Sequence, residues 1–243
     1  MEVVLLLRLL LAHVLGDFYL QPAGWIADRR AKQARSVWLY VHGILHGLLA
    51  WSALGELTRW REALCIAGVH IAVDLVKSHA DPLGRSATWF VIDQALHVAV
   101  LVLVVNTLSS GGIAGGWSTD ASSVPLWAIT LAVLGITRPV GFFVQTFTGR
   151  WDAELGDRTD NLPGAGMWIG IIERLLVLVF VVIGAIEAVG FLLAAKSVFR
   201  FGDLRDGTDR KRTEYVLVGT LLSFAIAFVA ALCTRRLVLG MWT

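Results

Sequence analysis

Four pairs of metal-ligand side chains, His13/Asp17, His42/His46, His70/Asp74 and Asp93/His97, repeat one spacing through the first 97 residues of the chain. At i, i+4 both members of a pair lie on one face of a helix, about 5 to 6 Å apart at Cβ, which suits joint ligation of one ion or of two neighbouring ions. Five imidazoles and three carboxylates without a thiolate form a borderline nitrogen and oxygen set. Such a set fits zinc first, then manganese or iron, and argues against Cu(I) or an iron–sulfur cluster. Eight donors exceed the need of one tetrahedral ion. The expectation is therefore a divalent centre of one or two ions, in which one layer of side chains either binds a second metal or orients the ligands of the first. The sixth histidine, His79, lies nine residues beyond His70 on the opposite helix face and reads as interfacial.

The elements that must position these pairs are apolar. With 56% hydrophobic and 16% charged residues and a mean hydropathy of +0.70, the chain is too apolar for a soluble domain, and its apolar residues fall in bilayer-length blocks. The fold class expected is all-α, a polytopic transmembrane helix bundle. Its spans read as 3–20, 37–55, 62–79, 86–108, 125–147, 168–184, 186–201 and 213–237, about eight segments. The count is seven if 168–201 is one kinked helix. Roughly 34 residues at 1.5 Å rise would overrun a core of about 30 Å, so a hairpin broken near Gly184 or Gly190 is favoured. Residues 3–20 hold Arg8, His13 and Asp17 and show neither a basic n-region nor a small-residue cleavage site, so the segment is expected to be retained. The Gly- and Ser-rich stretch 109–124 reads as a flexible non-cytoplasmic loop dividing a four-helix N-terminal half, 1–108, from a helical C-terminal half, 125–243. Cys65 and Cys233 sit in apolar segments at no ligand spacing. A net charge of +2 and the lack of any nucleic-acid module leave membrane lipids as the expected partners, with oligomeric state open.

Lysine and arginine set the orientation. Arg29, Arg30, Lys32 and Arg35 follow the first span, Lys77 and Arg85 flank the turn after the third, Arg150 and Arg158 follow the fifth, and Lys196 to Arg212 gather after the seventh. These alternate loops are expected to be cytoplasmic, with both termini on the other side of a bacterial inner membrane. The eight donors then form two layers in the cytoplasmic half. His13, His46, His70 and His97 lie toward the centre, and Asp17, His42, Asp74 and Asp93 one helical turn nearer the cytoplasm. Ionisable groups at such depth usually serve ion paths, proton relays or metal sites, and a proton relay built from the same side chains is the alternative to a metal.

Further charges lie within the later spans. Glu173 is expected as a general base beside a metal-bound water, and Arg138, followed by Pro139, as a stabiliser of an anionic substrate or oxyanion. The duller reading pairs Arg138 or Arg174 with Glu173 or Glu187. Lys196 and Arg200, four residues apart, read as contacts for phosphate or lipid headgroups, or as snorkelling anchors.

The blocks HVLGDFYLQP at 13–22, HGILH at 42–46, HIAVDLVKSH at 70–79 and DQALH at 93–97 resemble those of an uncharacterised bacterial integral membrane family, domain of unknown function 3307. LPGAGMWIGIIER at 162–174, GFLLAAKSVFRFGDL at 190–204 and TEYVLVGTLLSF at 213–224 look like its C-terminal half. That resemblance implies a membrane protein and no reaction. More loosely, the early paired ligands are similar to inner-membrane proteins described as metal-dependent hydrolases. The function expected is a membrane metalloprotein with a cytoplasm-facing His/Asp site, a hydrolase of a lipid or lipid-linked substrate. The alternative is a transporter or sensor of zinc, manganese, iron or protons; zinc transporters of the ZIP family use similar pairs. A diiron oxidase or haem protein is a third reading.

Overall fold

In lipid every backbone polar group must be satisfied within its own segment, so apolar blocks of this length become helices. The computed structural model describes residues 2–110, 121–154, 162, 164–201 and 210–241, and among them there is no strand. All eight apolar blocks are α-helical. The helices are α1 Glu2–Phe18, α2 Ala23–Lys32, α3 Val37–Leu54, α4 Trp60–Ala80, α5 Ala87–Ser110, α6 Val124–Thr148, α7 Ala165–Ile183, α8 Ile186–Phe201 and α9 Arg210–Val238. Six apolar helical stretches, corresponding to α3–α7 and α9, are long enough to cross a membrane; α1 and α2, bent by 79°, count as a seventh if taken as one broken span. At 16 residues α8 is shorter than these. Most of the stretch expected as the loop 109–124 lies outside the described residues, as does 202–209.

The helix stops have local causes. At the end of α7, Gly184 adopts φ 88° and its N–H bonds back to Phe180 and Val181 carbonyls. Ala185 N–H bonds to Phe180 O at 2.8 Å. A side chain would be strained at this φ, so the glycine ends the helix there. Residues 168–201 are thus two helices. Between α4 and α5, the Asp81 carboxylate accepts from the Arg85 and Ser86 N–H groups. Ser86 Oγ then caps α5 by accepting from Trp89 N–H.

The chain forms two compact units, Met1–Leu134 and Gly135–Thr243, with the boundary inside α6. In the first, α3 packs against α1 and α4, and α5 against α4 and α1, closing a four-helix ring. Its apolar core draws Leu5 and Leu9 from the start of α1, Ala53 and Leu54 from the end of α3, Ile66 from the start of α4 and Val105 from the end of α5. Successive membrane helices therefore alternate in direction, and this core fills one end of the ring. The outside is also apolar: Leu48, Leu64 and Leu103 are 56%, 62% and 63% exposed. An apolar exterior around a partly polar interior is the arrangement expected in lipid.

In the second unit α7 packs along α9 and against α8, with Val177, Val181, Ala227 and Ala231 fully buried. Without a hydrophobic drive between helices in lipid, close van der Waals contact around small residues such as these alanines holds them together. Pro139 withholds one N–H from the α6 ladder. The buried guanidinium of Arg174 supplies donors to the neighbouring carbonyls, Nε to Ile136 O and a terminal nitrogen to Thr137 O at 3.0 Å. It also bonds Ser223 Oγ at 3.0 Å. Arg174 is accordingly a staple across three helices.

Candidate metal centre

The ring brings all eight donors of the first unit together. His13, His42, His46, His70, His97, Asp74 and Asp93 are buried, and Asp17 is nearly so. Four helices each contribute one i, i+4 pair. α1 can come close to α3 because Gly16 presents no side chain where the His46 ring lies; a Cβ there would run into the imidazole.

Asp17 is the hub. Its Oδ1 lies 3.0 Å from His46 Nε2, 3.2 Å from His42 Nε2 and 3.5 Å from His70 Nε2, and its Oδ2 lies 3.6 Å from His13 Nε2. His42 and His70 face each other with their Nε2 atoms 3.2 Å apart. Ligands of a tetrahedral ion with bonds of about 2.05 Å are separated by about 3.3 Å, so these spacings match a metal's first coordination sphere. The ring centroids of His46 and His70 are 3.6 Å apart and those of His70 and His97 4.0 Å, which makes His13, His46, His70 and His97 one contiguous layer.

Three overlapping sets have donor atoms within 4.8 Å of one another: His13, Asp17, His46 and His70; His42, His70 and Asp74; Asp74, Asp93 and His97. Among the described residues no hydrogen-bond partner is present for His42 Nδ1, Asp93 Oδ1 or either ring nitrogen of His97. Buried polar atoms are rarely left in this state. The donor set and its unsatisfied nitrogens fit a divalent transition metal.

Gln94 spans two of the ligand groups. Its Nε2 donates to Asp17 Oδ2 at 2.9 Å and to Asp93 Oδ2 at 3.2 Å, and its Oε1 is 3.2 Å from His13 Nε2. The amide oxygen can only accept, so this contact holds the His13 ring while Nε2 carries the proton. Two cations reach in from the carboxylate end. Arg29, on α2, is ion-paired with Asp74 Oδ2, and Lys77 Nζ lies 2.5 Å from Asp93 Oδ2. Sequence reasoning placed both in the positively charged loops and missed their place against the ligands.

The opposite end is apolar. A cavity of about 20 Å³ touches His13, His46, His70 and His97 and is otherwise walled by Leu9, Ala12, Ala50, Ile66, Val69, Val100 and Leu101. That is room for about one water. Beyond it lies the apolar core.

The remaining candidates are not members of these donor sets. His79 is exposed, with Nδ1 2.8 Å from Leu75 O. Arg138, Glu173 and Lys196 lie in the second unit, where Arg138 and Glu187 are exposed. Glu173 is engaged by Lys196, Nζ to Oε2 2.5 Å, so the expected partners Arg138 and Arg174 are not the ones bonded to it among the described contacts. Lys196 also lies over the Phe224 ring at 5.8 Å. The Arg200 side chain lies outside the described residues.

No curated protein and no solved structure matches the chain. The looser similarity to metal-dependent hydrolases gains no support from these comparisons. The motifs from 162 onward fall outside the matched region, which runs from residue 5 to residue 120 and holds all eight donors. Over those residues the chain matches the model of the family described as Protein of unknown function (DUF3307).

Proposed function

We propose that the first unit is an intramembrane site for a divalent transition metal, zinc in the first instance, and that the protein is a metal-dependent hydrolase of a lipid or lipid-linked substrate. The observation that carries the metal reading is the convergence of four imidazole Nε2 atoms within 3.6 Å of the Asp17 carboxylate. A bound divalent ion supplies Lewis acidity and lowers the pKa of a water toward neutrality.

The chain's own residues supply the rest. Gln94 holds Asp17 and His13 in register. Asp93 Oδ1, buried without a partner among the described residues, accepts a proton, and Arg29 and Lys77 give the carboxylate end a positive rim suited to an anionic headgroup. In the second unit, the roles proposed for Glu173 as base, Arg138 as anion partner and Lys196 with Arg200 as headgroup contacts are separately testable by substitution. The apolar closure at the far end favours a dead-end site over a transport path. Arg29, Arg30, Lys32, Arg35, Lys77 and Arg85 cluster in sequence at the carboxylate end, which supports a cytoplasmic opening and a non-cytoplasmic N-terminus in a bacterial inner membrane; a C-terminus on the same side requires α8 to cross as an eighth segment.

Elemental analysis of detergent-purified protein tests the metal. His70→Ala, which removes a donor common to two of the three sets, is expected to abolish bound zinc; full retention would remove the site. A panel of phosphate and carboxylic esters of lipids tests hydrolysis. Saturable zinc or manganese flux in proteoliposomes would replace the enzyme reading with transport.

A further inference from the structure

Arg29 and Lys77 bear on how many ions the centre holds. Resting on the metal reading above, we infer that it binds a single divalent ion at His13, Asp17, His46 and His70, and that Arg29 and Lys77 together stand in for a second ion at Asp74, Asp93 and His97.

The argument is one of charge and of vacant donors. Metal-ligating imidazoles are neutral, so Asp17, Asp74 and Asp93 bring three negative charges, and Arg29 and Lys77 return two positive ones. One unit of negative charge remains. A single divalent ion leaves the buried cluster one unit positive, whereas two would leave it three units positive in surroundings of low dielectric, where uncompensated charge is costly. With both side-chain cations removed, two ions would give the same net charge as one ion gives with them in place. The tethered cations thus carry the charge of one divalent metal.

Their positions match that role. Arg29 engages Asp74 Oδ2 and Lys77 engages Asp93 Oδ2, the two carboxylates of the third donor set. Among the described contacts neither side chain is ion-paired to Asp17, the hub of the first. The third set nevertheless keeps its donors close together: Asp74, Asp93 and His97 offer donor atoms within 4.8 Å of one another. Asp93 Oδ1 and both His97 ring nitrogens are buried and unpartnered among the described residues, with His97 only 5% exposed. This is a latent second site whose counter-charge is already built into the chain.

The test counts zinc per chain by equilibrium dialysis and elemental analysis of the full-length protein in detergent, after size-exclusion chromatography shows a single species. Wild type is expected to hold one zinc. The Arg29→Gln/Lys77→Gln double variant is expected to hold two, returning to one when His97→Ala is added. Should the double variant not purify as one species, Lys77→Gln alone, altering a partly exposed side chain, is expected to gain a second zinc at least tenfold weaker than the first. Two zincs in wild type would overturn the single-ion inference and leave the metal reading standing. No zinc in wild type would overturn the metal reading itself. One zinc in wild type and still one in every variant that folds would overturn the role given to Arg29 and Lys77.

Discussion

Gly16→Ala isolates the geometry of the centre from its chemistry, because the substitution adds one methyl group and changes no donor. A Cβ at position 16 would collide with the His46 imidazole, which is 3% exposed. Restoring ordinary contact requires the ring to move by about 1 Å. Metal–nitrogen distances are held to about ±0.2 Å, so such a displacement removes His46 as a ligand. Loss of a partner that merely orients a ligand costs about 10- to 100-fold in metal affinity, and loss of the ligand itself should reach at least the upper end of that range. Gly43→Ala is the matched control. Its Cβ meets the Ile71 side chain instead, so it carries the overpacking cost of about 1 to 3 kcal/mol while leaving zinc affinity within about threefold of wild type. Zinc titration against a competing chelator, with thermal unfolding of the metal-free proteins alongside, separates the two effects. Wild-type affinity in Gly16→Ala would refute the placement of His46 in the centre, and equal losses in both variants would reduce the effect to general destabilisation.

Zinc at about 100 times its dissociation constant should stabilise the protein by about 2.7 kcal/mol against unfolding, and His46→Ala should abolish that shift in a thermal melt. In chelator-treated protein, Arg29→Gln should destabilise by up to about 3 kcal/mol by leaving buried Asp74 with only His42 and His70 nearby, and adding Asp74→Asn should recover most of the loss in denaturant unfolding. Arg174→Leu leaves two carbonyls and Ser223 without their donors and should cost several kcal/mol of stability, with zinc content per folded chain unchanged on elemental analysis. A reporter fused after residue 243 should be active only as an extracytoplasmic enzyme; a fluorescent cytoplasmic fusion would reverse the proposed orientation.

The repeated i, i+4 spacing and the apolar blocks made the four ligand helices legible, and their alternation placed four of the five imidazoles in one layer and the carboxylates, with His42, near the charged loops. Arg29 was not legible as a neighbour of Asp74. It sits on α2, and only the 79° bend between α1 and α2, made after Leu20 bonds back to Leu15 O and Pro22 opens the next helix, turns it toward α4. Lys77 offered a local signal, being three residues from Asp74, but its partner Asp93 lies across the α4–α5 turn. Glu173 and Lys196 read as separate candidates because the register of their hairpin depended on which glycine broke it. Once Gly184 is the break, the two positions fall almost symmetrically about it and meet.

The apolar end of the ring has an electrical consequence for the proposed metal. An ion that enters past the carboxylates and stops beneath Leu9 and Ile66 crosses part of the transmembrane field and none of the remainder. Under the proposed one-sided opening its occupancy would equilibrate with one compartment only, yet be weighted by the voltage across both. Each tenth of the field crossed by a divalent ion is worth about 0.5 kcal/mol per 100 mV. Depolarising an energised cell would then change the loading of the centre at constant metal concentration.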